Sequence, residues 1–442
     1  MNALERLAQA LAPHPQLRSF VRASGLVTEV TPTHFRIAGL SHFLKLGECI
    51  ALSEGGQAIG EVIRIDPAAA TVKPYADLIE IGPGTRVHRL GPLAIAPDAS
   101  WKGRVIDALC RPIDEGGPLA AGTVERTVDA PPPPAIRRAR AKEPVATGVR
   151  VLDLFTPICK GQRLGIFAGS GIGKSTLLSM LARAQTFDSV VIALVGERGR
   201  EVREFLEESL GPARQRTVAV VATGDESAMM RRLAPRTAMS IAECLRDAGE
   251  SVLLIVDSIT RYAHAAREVA LAAGEPAVAR GYAPSVFGDL PRLLERAGPG
   301  EDGSGTITGI FAVLVDGDDH NEPVSDAIRG TLDGHVVLSR AIADQGRYPA
   351  VDLLGSLSRL ARHAWSADQR ILVGRLRTMV ARYEDSRDLR LMGAYHPGAD
   401  AELDQAVALV PALYQAIAQD PSSPPSRDAF RELADALQGP RP

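Results

Sequence analysis

Between about Val145 and Arg359 the chain alternates apolar runs with helical stretches, and this alternation narrows the fold more than any other feature. RLGIFA (163–168), SVVIALV (189–195), TVAVVAT (217–223), SVLLIVD (251–257), TGIFAVLV (308–315) and HVVLS (335–339) are nearly uninterrupted by polar residues. A strand with one wet face would alternate, so these strands are covered on both faces. The arrangement that covers both is a mostly parallel sheet with helices packed on either side. KSTLLSMLARAQ (174–185) and PRTAMSIAECLRDAG (235–249) supply helices at the right places.

The first run leads straight into Ala168-Gly169-Ser170-Gly171-Ile172-Gly173-Lys174-Ser175-Thr176, which fits [AG]xxxxGK[ST] with Ala in first place. Gly169, Gly171 and Gly173 allow backbone N–H groups to point inward around a phosphate at a helix N-terminus. Lys174 would neutralise β- and γ-phosphate oxygens, and the Ser175 hydroxyl would ligate Mg²⁺. Thr176 reads as a packing or capping residue. The competing reading is a Gly-rich turn with a chance lysine. Only six of the 50 Lys and Arg residues are lysines, and Lys174 is the last in the chain, which weighs against chance.

Two acidic residues end other runs. Asp257 closes SVLLIVD, and a carboxylate at the tip of a buried strand beside such a loop can hold a Mg²⁺-bound water. Glu197 follows SVVIALVG, so its carboxylate would project from the same sheet edge and could polarise an attacking water. Arg198 beside it could steady the transferring phosphoryl group. A surface Glu–Arg pair at a helix start is the plainer alternative.

The remainder divides by texture. Residues 1–24 contain an apolar stripe, Leu4, Leu7 and Leu11, ended by Pro13 and Pro15, marginal as an isolated helix. Residues 25–92 hold six short β-type runs between turn residues, which predicts a small closed barrel. Residues 93–360 form the α/β core; within them GRVIDALCRPIDEGGP (103–118) reads as a short helix and a turn. Pro131–Pro134 followed by IRRARAK reads as an extended basic connector, solvated unless it binds nucleic acid. Residues 361–442 carry helical spacing split by His396-Pro397-Gly398, predicting a small helical domain.

Composition excludes several classes. With 45% hydrophobic and 23% charged residues in 442, global disorder is out, and a net charge of -3 offers no basic field for nucleic acid or anionic membrane. Cys49, Cys110, Cys159 and Cys244 are scattered without metal-ligand spacing and read as reduced thiols. No apolar stretch approaches membrane-spanning length and the first residues lack a signal-peptide core, so a soluble cytoplasmic chain is expected.

The Lys174 loop, Glu197 and Asp257 together resemble the rotary-type ATPase family. RGYAPSVFGDLPRLLERAG (280–298), GSGTITGIFAVLVDGDDHNEPVSDAIRGTLDGHVVLSRAIADQGRYPAVDLLGSLSR (303–359) and AYHPGADAELDQA (394–406) are similar to the type III secretion ATPases, and the wording of 309–335 to their flagellar export branch. The resemblance spans about residues 25–420. It implies an N-terminal barrel, a RecA-like P-loop core and a C-terminal helical domain, assembled as homohexamers with ATP at subunit interfaces. It also implies that Glu197 is the catalytic glutamate, that Lys174 and Ser175 are the loop pair, and that Asp257 is the second magnesium-side carboxylate. Arg359 falls at the arginine given across the interface to a neighbour's γ-phosphate, and Tyr348 at the aromatic that stacks on adenine. Partners implied are a flagellar stator protein, a central coiled-coil stalk protein, a membrane export gate and chaperone–substrate complexes. Nucleic acid is not among them, and membrane association would be peripheral, at the cytoplasmic face of the export apparatus.

The sequence departs from the family's wording at Glu226-Ser227 and at Ala108 and Cys110, where glycines are usual. It shows no acidic DELSEED-like run. Alternatives are an injectisome ATPase, a non-catalytic rotary subunit, which would usually lack Glu197, and a ring helicase, which the neutral charge and aromatic-poor barrel disfavour.

Overall fold

The computed structural model describes residues 23–76, 80–315 and 322–438. The amphipathic stripe of residues 1–24 lies outside them. Contacts divide the chain into two compact units that meet in sequence at Leu93 and Ala94.

The first unit contains the six strands that the texture of residues 25–92 predicts: β1 (Ser24–Val30), β2 (Phe35–Ala38), β3 (Glu48–Ala51), β4 (Gly60–Ile65), β5 (Ala69–Pro74) and β6 (Arg86–Pro92). They close in the order β1-β2-β5-β4-β3-β6, with β1 pairing β6 antiparallel. Alternation decides what enters the barrel. Phe35 and Ile37 face inward with Val27, Ile50, Val62, Val72 and Val87, while Arg36 between them turns outward to Asp66 at 2.7 Å. Closure leaves no unpaired sheet edge.

The second unit is built on a nine-stranded sheet. Its main strands are β7 (Val105–Asp107), β8 (Arg163–Ala168), β9 (Ser189–Val195), β10 (Thr217–Ala222), β11 (Ser251–Asp257), β12 (Thr306–Leu314), β13 (Gly334–Val337) and β14 (Leu357–Ser358). They lie in the order β14-β13-β8-β12-β11-β9-β10-β7. All of these pairings are parallel except β14 on β13; Gly298–Pro299 also pairs antiparallel with β12. β9 and β10 are buried along their whole length, as their unbroken apolar runs require.

Helices α1 (Lys174–Ala182), α2 (Gly199–Glu204), α3 (Ala228–Asp247) and α4 (Ile259–Ala272) follow strands of this sheet. α3 starts seven residues before the expected Pro235, because the Ser227 hydroxyl accepts from Met230 N and caps the end. Helices α5 (Ala367–Asp385), α6 (Ala401–Ile417) and α7 (Ala429–Gln438) complete the chain. Their inner faces, including Val373, Leu376, Val380, Val410, Leu413 and Leu433, join one continuous apolar cluster with Val151, Leu154 and the sheet.

One local expectation fails. Residues 103–118 form no helix: Val105–Asp107 is an edge strand parallel to β10. The turn after it is tied by carboxylates. Asp107 accepts from Leu109 N and Arg111 N, and Asp114 accepts from Val105 N and Arg104. Three strand residues are too few for periodicity to show, and the hydrogen-bonding partner lies over a hundred residues away.

Candidate active site

The functional side chains gather at the C-terminal edge of the sheet, where open parallel sheets bind ligands. β8 delivers the Gly-rich loop, β9 delivers Glu197 through Gly196, and β11 ends in Asp257. Gly171 and Gly173 have φ of +79° and +87°, the left-handed region that turns successive N–H groups inward. Gly173 is then the N-cap from which α1 begins with Lys174. At Gly196 (φ +71°) a Cβ would lie 2.2 Å from Arg261 Cδ, so only glycine lets Arg261 pack against the turn before Glu197.

Lys174 is buried, and its ammonium donates to Asp257 Oδ1. Glu197 Oε1 stands 3.7 Å from Lys174 Nζ and 3.8 Å from Arg261 Nε. Among the described residues this oxygen makes no hydrogen bond. Burial pushes the Glu197 carboxyl above its ordinary range; Lys174 and Arg261 pull the other way, and the nearby Asp257 adds to the rise. The result is a half-desolvated base with an open acceptor.

Around these groups lies a cavity of about 650 Å³, lined by Gly169, Ser170, Gly171, Gly173, Lys174, Ser175, Thr176, Glu197 and Arg198, with Glu201 and Arg261. The structure thus brings the expected loop residues, Glu197 and Arg198 to one cavity, with Asp257 held against Lys174. Arg198 is on the rim, with its side chain 87% exposed and 3.5 Å from Glu201. Ile172 differs: its side chain is sunk in the core cluster, so only its backbone can serve the loop. Arg359 is exposed and does not line this cavity.

Tyr348 lines a second cavity of about 440 Å³, adjoining the first through Gly173 and Thr176. Its far wall is Ala418, Gln419, Asp420 and Pro421, between α6 and α7. Gln419 N donates to Tyr348 O at 2.9 Å, and its buried amide bridges Arg150 N (3.0 Å) and Gly148 O (2.9 Å). Sequence reasoning missed Gln419, since nothing in the loop-like AQDPSSP marks it. It also missed Arg261, one turn into α4, and Arg340, which donates to Ser170 O at 2.7 Å.

A Gly-rich loop, a buried lysine and two carboxylates at the C-terminal edge of a parallel sheet define a P-loop nucleotide hydrolase. Residues 148–358 match the nucleotide-binding domain of the ATP synthase alpha/beta family, and residues 365–435 match the T3SS EscN ATPase C-terminal domain. The chain is 53% identical to a flagellum-specific ATP synthase of Agrobacterium fabrum, covering 99% of this chain and 92% of that one. It is 43% identical to a type 3 secretion system ATPase of Xanthomonas euvesicatoria over 90% of each. The assembled ATPase EscN of enteropathogenic E. coli superposes with a TM-score of 0.85 at 36% identity, covering 94% of this chain and 99% of that one. The chain belongs to the type III secretion ATPases of the ATP synthase alpha/beta family, and flagellum-specific members predominate among its relatives.

Proposed function

We propose that the chain hydrolyses Mg-ATP for flagellar type III protein export, as a homohexamer with its sites at subunit interfaces. The observation that carries this reading is the open, buried Oε1 acceptor of half-buried Glu197 beside Lys174 and Asp257. The loop N–H groups and Lys174 would hold the β- and γ-phosphates. Glu197 Oε1 would accept a proton from the attacking water, which its raised pKa favours. The oxygen donors Ser175 and Asp257 suit a hard cation, and Mg²⁺ bound there would neutralise phosphate charge. Tyr348 would stack on adenine in the second cavity. Arg198 on the rim, and Arg359 from a neighbouring copy, would stabilise the transferring phosphoryl group; Arg359 lies outside its own chain's cavity, as a residue acting in trans must.

Among relatives, EscN has been solved with its central stalk EscO, which supports a central stalk partner here. A stator protein, an export gate and chaperone–substrate complexes complete the reading, at the cytoplasmic face of the export apparatus. No helix among the described residues is long and apolar enough to cross a membrane. The test is Arg359→Ala. Turnover should fall by roughly 10³ or more while nucleotide binding persists. Wild-type turnover would refute the shared site.

A further inference from the structure

The basic connector is not a free solvated strand. Ala139 N donates to Gly300 O at 2.9 Å, fixing the segment against the core, and Arg138 Nε donates to Pro133 O at 2.8 Å within the connector itself. It forms one wall of a groove of about 500 Å³, whose other walls include Asp333, Leu360, Arg362 and His363. Two inner arginines are neutralised: Arg138 pairs with Glu295 at 3.0 Å, and Arg163 with Asp333 at 3.0 Å. The outer cations, Arg140, Lys142 and Arg362, are exposed and form no ion pair among the described residues. Arg359 immediately precedes this wall, and its N–H donates to Asp333 O at 2.9 Å.

The rim of the phosphate cavity has the opposite character. After Glu197, α2 and the turn beyond it expose Glu201, Glu204, Glu207 and Glu208. Arg198 pairs with Glu201 and Arg203 with Glu207, which leaves two carboxylates, Glu204 and Glu208, and one cation, Arg200, exposed and without an ionic partner among the described residues, a net acidic remainder. The groove beside Arg359 and the ridge beside Glu197 are therefore complementary, and neither satisfies the other within one chain.

We propose that the Arg140–Lys142–Arg362 groove receives the Glu204–Glu208 ridge of a second copy of this chain. This rests on the reading that Arg359 acts in trans. If Arg359 enters a neighbour's phosphate cavity, the groove next to it is carried onto that cavity's acidic rim. The contact is heterologous, groove to ridge, and so propagates round a ring rather than closing a dimer. Its charges set register and speed encounter, and salt weakens them.

Assembly is followed by light scattering and by turnover per subunit across a concentration series. Arg140→Glu with Lys142→Glu should raise the half-assembly concentration by roughly tenfold at low salt. Glu204→Lys with Glu208→Lys should do the same, and all four together should recover most of the loss. Arg140→Gln with Lys142→Gln, a gentler change, should give a smaller shift in the same direction. Wild-type assembly by either reversed chain, or no recovery in the fourfold variant, overturns the proposal. So does unchanged assembly with lost binding to RNA or to anionic vesicles. Mixing Arg359→Ala with Glu197→Gln chains separates the two ideas. Turnover regained on mixing upholds action in trans whatever the reversals do; no regain refutes the underlying reading instead.

Discussion

Glu197→Gln isolates the proton-accepting role proposed for Glu197 with almost no change of shape. In the wild-type chain the carboxylate sits 3.7 Å from one cation and 3.8 Å from another, each contact worth about 4 kcal/mol gross at an effective dielectric of ~20. Burial nevertheless leaves the carboxyl above its usual range, so desolvation offsets that attraction. Replacing it with a neutral amide should therefore change folding stability by no more than about 1 kcal/mol. Catalysis should respond differently. An amide takes no proton, and the loss of a positioned base costs roughly 10²–10⁴ in rate, or about 3–5 kcal/mol of barrier. Nucleotide affinity should hold or rise, since a negative charge beside the phosphates is removed. The assay is steady-state phosphate release with fluorescent-nucleotide binding and a thermal melt on the same preparation. In the wild type, turnover should fall on the acid side with a midpoint above an ordinary glutamate's 4.5, because the raised pKa keeps Glu197 protonated to higher pH. The variant should lack that limb. Hydrolysis above about a tenth of wild type, with binding and melting intact, would refute the role.

Gln419→Ala strips hydrogen bonds from half-buried Arg150 N and buried Gly148 O while keeping the backbone bond to Tyr348. It should cost about 2–4 kcal/mol of stability and raise the KM for ATP more than it lowers kcat. Burial lifts Asp153 from 3.8 to about 6 despite hydrogen bonds from Thr147 and Gly148. Because the folded-state pKa is raised, its contribution is full below about pH 4 and is lost as pH climbs through 6, at most about 3 kcal/mol. Asp153→Asn should remove that slope from denaturation curves taken across the window. Cys110 holds φ of +61° where glycine is at ease, so Cys110→Gly should raise the melting temperature, by up to about 1 kcal/mol in stability. A fall would show that its packing outweighs the backbone strain.

The chain's own sequence determined whatever depends on neighbours along it. Short β-type runs between turn residues gave the barrel, unbroken apolar runs the parallel sheet, and the Lys174 motif the phosphate loop. The ends of two runs marked Asp257 and Glu197, because a residue after a buried strand must emerge at the sheet edge. Tertiary structure decided everything that depends on which strands lie side by side. Lys174 meets Asp257 across 83 residues because β12 and β11 follow β8 in the sheet order, and no local signal encodes that order. Gln419 joins the Tyr348 cavity only because α6 and α7 dock on the core. Val105–Asp107 became a strand, and the residues after it a turn rather than a helix, because β10 offered an edge. The basic connector changed most: linear charge made it a solvated linker, whereas folding set its cations in one groove with Leu360 and Arg362. Periodicity reports the faces an element must bury, and only packing reports what it buries them against.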